Sequence, residues 1–186
     1  MESTKSSGEF SAEERAALLR LAHEAILSGV ENRETHAESA NPHFAEPRGV
    51  FTSLYLNGEL RGCVGYALPT VPLYRAVAET ARAAAFEDAR FYPVTREEAP
   101  LLQIELSILS PPQAIAAEAI EVGRHGLLIT MAGYRGLLLP QVAAERGWDR
   151  ITFLEQTCRK AGLPSDAWQQ GAKIEAFTAE VFGEKH

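Results

Sequence analysis

An arginine, a cysteine and two glycines fall within the six residues Leu60-Arg61-Gly62-Cys63-Val64-Gly65. Thiolate is the nucleophilic form of cysteine and a neighbouring cation favours it, so Arg61 is placed to make Cys63 a nucleophile. Residues two apart on a strand share a face only if the strand is regular, and Gly62 is a place where it can break. The same residues also read as a small buried cysteine, with glycines chosen for twist and packing. Both readings stay open. A thiol nucleophile usually has a histidine base, and His125, in Arg124-His125-Gly126, is the histidine flanked by structure-defining residues. It reads equally as a loop residue capping a strand end. The catalytic candidates are thus Cys63, Arg61 and His125, and the binding candidates are Leu60, Arg61, Gly62, Cys63, Val64 and Gly65.

Other reactive residues attract plainer readings. His36, Glu38 and His43 match no recognised metal spacing, and neither a metal nor a cofactor is expected. Cys158 reads as a core residue of a helix, and both cysteines are expected to be free thiols. Glu87-Asp88-Ala89-Arg90-Phe91 reads as a solvated helix end whose Asp–Arg pair locks the turn. Trp148 and Trp168 read as packing residues. The chain has no GxxxxGK[ST], GxGxxG after a strand, HExxH, CxxC or GxSxG, which removes most nucleotide-dependent and zinc-hydrolase readings.

These residues need a scaffold, and the chain has material for one. With 186 residues it is the size of about one domain. Its 46% hydrophobic and 23% charged residues are ordinary globular values. Eighteen basic against 25 acidic residues give a net charge of −7. Basic residues are scattered, mostly beside acidic ones, so nucleic acid is not an expected partner. No apolar run is long enough to span a membrane, and no signal peptide is visible. A cytoplasmic protein is expected.

Periodicity supplies the elements. Residues 1–10 read as a flexible N-terminus. Ser11 and Glu14 have capping-box spacing before a helical pattern that stops at Gly29. Residues 31–48 form a polar wrap with one short helical turn. Val50 to Leu56 and Leu60 to Tyr66 flank Asn57-Gly58, which predicts a hairpin with a tight type I′ turn. Pro72 to Glu87 reads as a helix rich in alanine, and Thr95 and Glu98 repeat the capping-box spacing. Leu102 to Leu109 alternates as a half-buried strand. Gly126 to Met131 and Arg135 to Leu139 read as a second hairpin. Its arms are apolar on both faces, which fits central strands or a face lining an interface or cleft. Helices follow at Pro140 to Arg146 and Asp149 to Lys160, and residues 174–181 read as one last strand. The fold class is α+β.

At Leu60-Arg61-Gly62-Cys63-Val64-Gly65 the chain resembles the AMMECR domain family, whose signature LRGCIG has isoleucine where Val64 stands. The resemblance extends through Phe86-Glu87-Asp88-Ala89-Arg90-Phe91-Tyr92-Pro93, similar to FxDxRFxP. It continues in His125-Gly126-Leu127, Leu138-Leu139-Pro140-Gln141-Val142-Ala143, Gly147-Trp148-Asp149, Phe153-Leu154, Cys158 to Leu163 and Trp168. It covers residues 11–184. The resemblance implies two unequal α+β subdomains, each an antiparallel sheet with helices, with the signature in a cleft between them. Here the larger would take 11–112 and 171–184, the smaller 113–170. Bacterial-type members are grouped with a Memo-like protein and a radical SAM protein, the AmmeMemoRadiSam set. The resemblance therefore implies an accessory or binding module that presents a protein or modified substrate to those partners. The alternative is an enzyme with Cys63 as nucleophile, assisted by Arg61 and His125.

Overall fold

A computed structural model describes residues 8–184, so most of the terminus expected to be loose lies outside the described residues. Order begins earlier than the sequence predicts, because Phe10 is fully buried and the Glu9 N–H donates to Glu180 Oε2 at 2.8 Å. The chain forms two compact units. The first takes residues up to 108 and those from 180 onward, and the second takes 109–179.

In the first unit, helix α1 (Ala12–Val30) starts on the capping box that its sequence predicts. Ser11 Oγ accepts from the Glu14 N–H at 3.1 Å, and Glu14 Oε2 accepts from the Ser11 N–H at 3.0 Å. A 3₁₀ turn at Pro42–Ala45 interrupts the polar wrap that follows. Strands β1 (Val50–Leu56) and β2 (Glu59–Tyr66) meet at Asn57-Gly58, where φ is +53° and +81°, the two positive angles that a type I′ turn requires. Helix α2 (Leu73–Phe86) packs on both strands and on α1. Strand β3 (Gln103–Leu109) pairs antiparallel with β1. With β8 (Ala179–Gly183) at the far edge, the sheet order is β2-β1-β3-β8.

Alternation along the strands sets the two faces of this sheet. Val50, Thr52, Leu54, Ile104, Leu106 and Ile108 are buried, while Phe51, Ser53, Tyr55, Gln103, Glu105 and Ser107 between them are half-buried. One buried polar contact ties helix to sheet. Thr52 Oγ1 and Thr80 Oγ1 lie 2.8 Å apart, and Thr80 Oγ1 also donates to the Ala76 carbonyl at 2.7 Å. Alanines 76, 78, 81, 84 and 85 are five of the eight buried residues of α2, and its last turns bury only Ala81, Ala84 and Ala85. A strand can then approach the helix backbone closely.

The second unit carries a short strand β4 (Gln113–Ala114), a hairpin β5 (Gly126–Met131) and β6 (Tyr134–Leu138), helices α3 (Pro140–Glu145) and α4 (Arg150–Lys160), and β7 (Lys173–Phe177). Its sheet order is β4-β7-β5-β6. The doubly apolar arm β5 is a central strand, paired with β6 on one side and β7 on the other. The single last strand predicted from alternation is two strands. Thr178 leaves the ladder, and its N–H bonds Ser110 Oγ at 2.8 Å. That break sends β7 into the second sheet and β8 into the first, so the chain divides at 108/109 and 179/180 instead of 112/113 and 170/171.

Helix α4 is capped by Asp149, whose Oδ1 accepts from the Thr152 N–H at 2.7 Å. It ends at Gly162, with φ +78° and the Leu163 N–H bonded back to the Cys158 carbonyl. Trp148 and Trp168 pack against the second core, which centres on Leu127, Ile129, Phe153 and Leu154. Cys158 is buried in the same core, its thiol pushed above its ordinary pKa by burial, and both cysteines are free.

Candidate functional site

The signature segment lies on β2, and its geometry departs from a plain hairpin. Leu56 faces Glu59 and Tyr55 faces Leu60, but Leu54 faces Gly62 and Ser53 faces Cys63. Arg61 is therefore the extra residue of a β-bulge, and everything after it shifts by one partner. Gly62 then lands under α2. A Cβ there would sit 2.1 Å from the Ala84 carbonyl oxygen, and one at Gly65 would sit 2.2 Å from the Phe51 ring. Both glycines are needed by packing within the first unit.

The hydrogen bonds of Arg61 go to the loop after α2. Its Nε and Nη2 donate to the two carboxylate oxygens of Glu98, at 3.1 and 3.0 Å. Its Nη1 donates to the Tyr92 carbonyl at 2.9 Å, and Nη2 reaches the Pro93 carbonyl at 3.5 Å. Glu98 is held in turn by the predicted capping box, since Glu98 Oε2 accepts from the Thr95 N–H at 2.9 Å. The guanidinium first, and that N–H second, keep the Glu98 carboxyl below its usual range. Arg61 is thus a clamp on the loop 87–98, and the loop carries Tyr92 at 90% exposure.

Asp88 joins the same loop to the cysteine. Its Oδ2 accepts from the Cys63 N–H at 2.9 Å, while Arg90 Nε and Nη2 donate to its two oxygens at 3.0 and 2.7 Å. The Asp–Arg pair predicted to lock the turn is present, and it also locks the strand. Although the Asp88 side chain is only 7% exposed, these bonds, Arg90 first and the Cys63 amide second, hold its carboxyl far below the ordinary range. Asp88 thus links the Arg90 guanidinium to the backbone of Cys63.

Cys63 itself is half-buried, and its Sγ accepts from Ser53 Oγ at 3.3 Å. Across β1 and β3 the register puts Cys63, Ser53 and Glu105 in one row on the face away from the helices. Tyr55 is on that face too. Burial first, and the charges of Glu105 and Cys63 after it, push its phenol above the ordinary value.

His125 belongs to the second unit. Its Nδ1 accepts from the Glu121 N–H at 2.9 Å, and its backbone N–H donates to the Glu121 carbonyl at 3.0 Å. A backbone N–H only donates, so Nδ1 holds the lone pair and Nε2 carries the proton. A general base needs a free lone pair, and here it is taken.

Sequence reasoning missed Asp88 and Glu98 as partners of the signature, and Ser53, Tyr55 and Glu105 as its neighbours. The signal for Asp88 was its place in the FxDxRFxP-like segment. Ser53, Tyr55 and Glu105 were legible as the outward positions of alternating strands. Among the described residues, one group has metal-binding spacing, namely Glu9, His43 and Glu46. The buried Arg48 guanidinium already pairs with Glu9 and Glu46, so a cation is in place there.

Asp88 makes a pH prediction. Its folded pKa is depressed, so the stability it contributes is present above its unfolded value of 3.8 and is lost as pH falls toward the folded one. In urea titrations the gap between wild type and Asp88→Asn should be constant above about pH 5 and close below it. A gap that widens on acidification would contradict the Cys63–Asp88–Arg90 geometry.

Residues 19–182 match the family model AMMECR1. A protein of Aquifex aeolicus is 40% identical over 178 residues, covering 90% of this chain and 91% of its own length. Protein MJ0810 of Methanocaldococcus jannaschii is 43% identical over 182 residues, covering 92% and 90%. The crystal structure of the uncharacterized protein PH0010 from Pyrococcus horikoshii is similar with a TM-score of 0.72, at 40% identity and 91% coverage of each chain. With the bulged signature strand, its Asp88 and Glu98 ties and these matches over nearly its whole length, the chain belongs to the AMMECR1 family.

Proposed function

We propose that this protein is an accessory or binding module, which holds a protein segment or modified substrate for Memo-like and radical SAM partners. The observation that carries this reading is where the polar groups of the signature go. Arg61 is engaged by Glu98 and two carbonyls, the Cys63 N–H by Asp88, and both glycines by packing. The group at the thiol is a hydroxyl that donates to it. Such a segment supports a platform better than a reaction centre. What the platform holds out is Tyr92, on a loop fixed by Arg61. A rigidly mounted, exposed tyrosine offers large contact area at little entropic cost, as binding anchors do.

Calorimetric titration of the purified Memo-like and radical SAM proteins of the same organism tests the proposal. Wild type and Cys63→Ala are expected to bind one of them alike, and Tyr92→Ala about tenfold or more weaker, as for a central aromatic anchor. Binding to neither partner would overturn it.

One observation favours the alternative, an enzyme with Cys63 as nucleophile. Ser53 Oγ donates to Sγ, and a hydroxyl so placed would steady a thiolate. On that reading wild type would trap a covalent adduct that Cys63→Ala lacks, and Cys63→Ala would lose all function in cells.

A further inference from the structure

A pocket of about 430 Å³ opens in the second unit, beside the edge strand β4. Ser110, Pro111, Ile115, Arg124, His125 and Phe177 are among its walls, and all its lining residues belong to that unit. In a chain of net charge −7, no carboxylate is among the described residues that line it.

Three of the polar side chains there, on Ser110, Arg124 and His125, have protons to donate. His125 Nδ1 is held by the Glu121 N–H, so the imidazole carries its proton on Nε2. Ser110 Oγ accepts from the Thr178 N–H at 2.8 Å, which leaves the hydroxyl proton to be donated elsewhere. Arg124 brings a full charge. Its tie is to Glu121, at 3.2 Å, with the two side chains 63% and 60% exposed. An ion pair that exposed is weak, so a second anion can take the guanidinium at little cost. Pro111, Ile115 and Phe177 add apolar surface, and the volume is in the range of small-molecule sites.

We infer that this pocket is a binding site for a small oxyanion, a carboxylate or a phosphate, carried on an apolar body. Arg124 supplies the charge, the His125 Nε2–H and Ser110 O–H fix the orientation, and Phe177 and Ile115 take the body. The loop closed between Glu121 and His125 pre-sets the imidazole, so Arg124 is the side chain that has to be ordered when the ligand arrives. The site is independent of the signature strand and of the partner reading above.

The test is an NMR titration of the whole protein with phenylacetate, phenyl phosphate and the neutral 2-phenylacetamide as probes. At least one anion is expected to shift the amides of residues 110–115, 124–126 and 176–178, and to move the His125 Nε2 resonance in its protonated range. The tighter of the two anions names the oxyanion. The amide should bind about tenfold weaker or not at all, the loss expected for one charge-assisted bond. Arg124→Gln, an exposed change that leaves the Glu121–His125 loop bonds in place, should weaken the anion by a similar factor. No shifts at about 10 mM of either anion, a concentration that would largely saturate a site with a Kd of about 1 mM, would overturn the inference. So would equal binding of the amide, or an Arg124→Gln variant that binds as wild type does.

Discussion

Gly62→Val is expected to cost the first unit about 3 kcal/mol or more, the upper range for overpacking, because what it strikes cannot move aside. A Cβ at residue 62 would lie 2.1 Å from the Ala84 carbonyl oxygen, which belongs to the backbone of α2. To relieve the clash the helix would have to lift off β1 and β2, breaking the Thr52–Thr80 contact and exposing its alanine face. The second unit has a matching place, since a Cβ at Gly136 would lie 2.3 Å from the Ala161 backbone nitrogen. Gly136→Val should therefore cost a similar amount there. Gly8→Val is the contrast, because its nearest atoms are the ends of the flexible Arg15 and Glu180 side chains. Urea unfolding with an unchanged m-value reads these differences directly. If Gly62→Val and Gly8→Val shift the midpoint equally, the close approach of α2 to the signature strand is wrong.

Arg61→Gln should be the next most damaging change, at about 2–3 kcal/mol, the range for charge-assisted hydrogen bonds left unmade in a partly buried place. The variant loses both oxygens of Glu98 and the Tyr92 and Pro93 carbonyls together. Arg61→Lys should recover less than half of the loss, because an ammonium cannot present the planar fork that meets a carboxylate and a carbonyl at once. Two readouts separate this role from general destabilisation. Amide exchange should accelerate selectively in residues 92–98, and a double-mutant cycle with Glu98→Gln should show strong coupling. Full rescue by lysine, or a cost below about 0.5 kcal/mol as for an ordinary surface change, would remove the clamp from the account.

Much of the fold was legible because its signals are local. The Ser11–Glu14 box, the Asn57-Gly58 turn and the Thr95–Glu98 box each act through a few neighbouring residues, and each stands where the sequence predicts it. Alternation and helical spacing reported burial within each element. The alternation over 174–181 misled for the same reason. It describes which way side chains point along a chain and carries nothing about a ladder that ends at Thr178 and resumes in another sheet.

The amino-acid sequence by itself determined the α+β class, the positions of the hairpins and helices, and membership of a family through ordered motifs. Tertiary structure alone decided what the signature residues do. A two-residue turn with no bulge would set Ser53 opposite Gly62, and only the inserted Arg61 brings Cys63 to Ser53 and sends Gly62 beneath Ala84. The partners of Arg61 and Cys63 lie 37 and 25 residues away, in a loop whose course depends on where α2 packs. Proximity in sequence made Arg61 the natural cation for the thiol. The fold pairs it with Glu98, because a carboxylate taken by two parallel N–H groups, with two carbonyls beside it, satisfies the planar guanidinium.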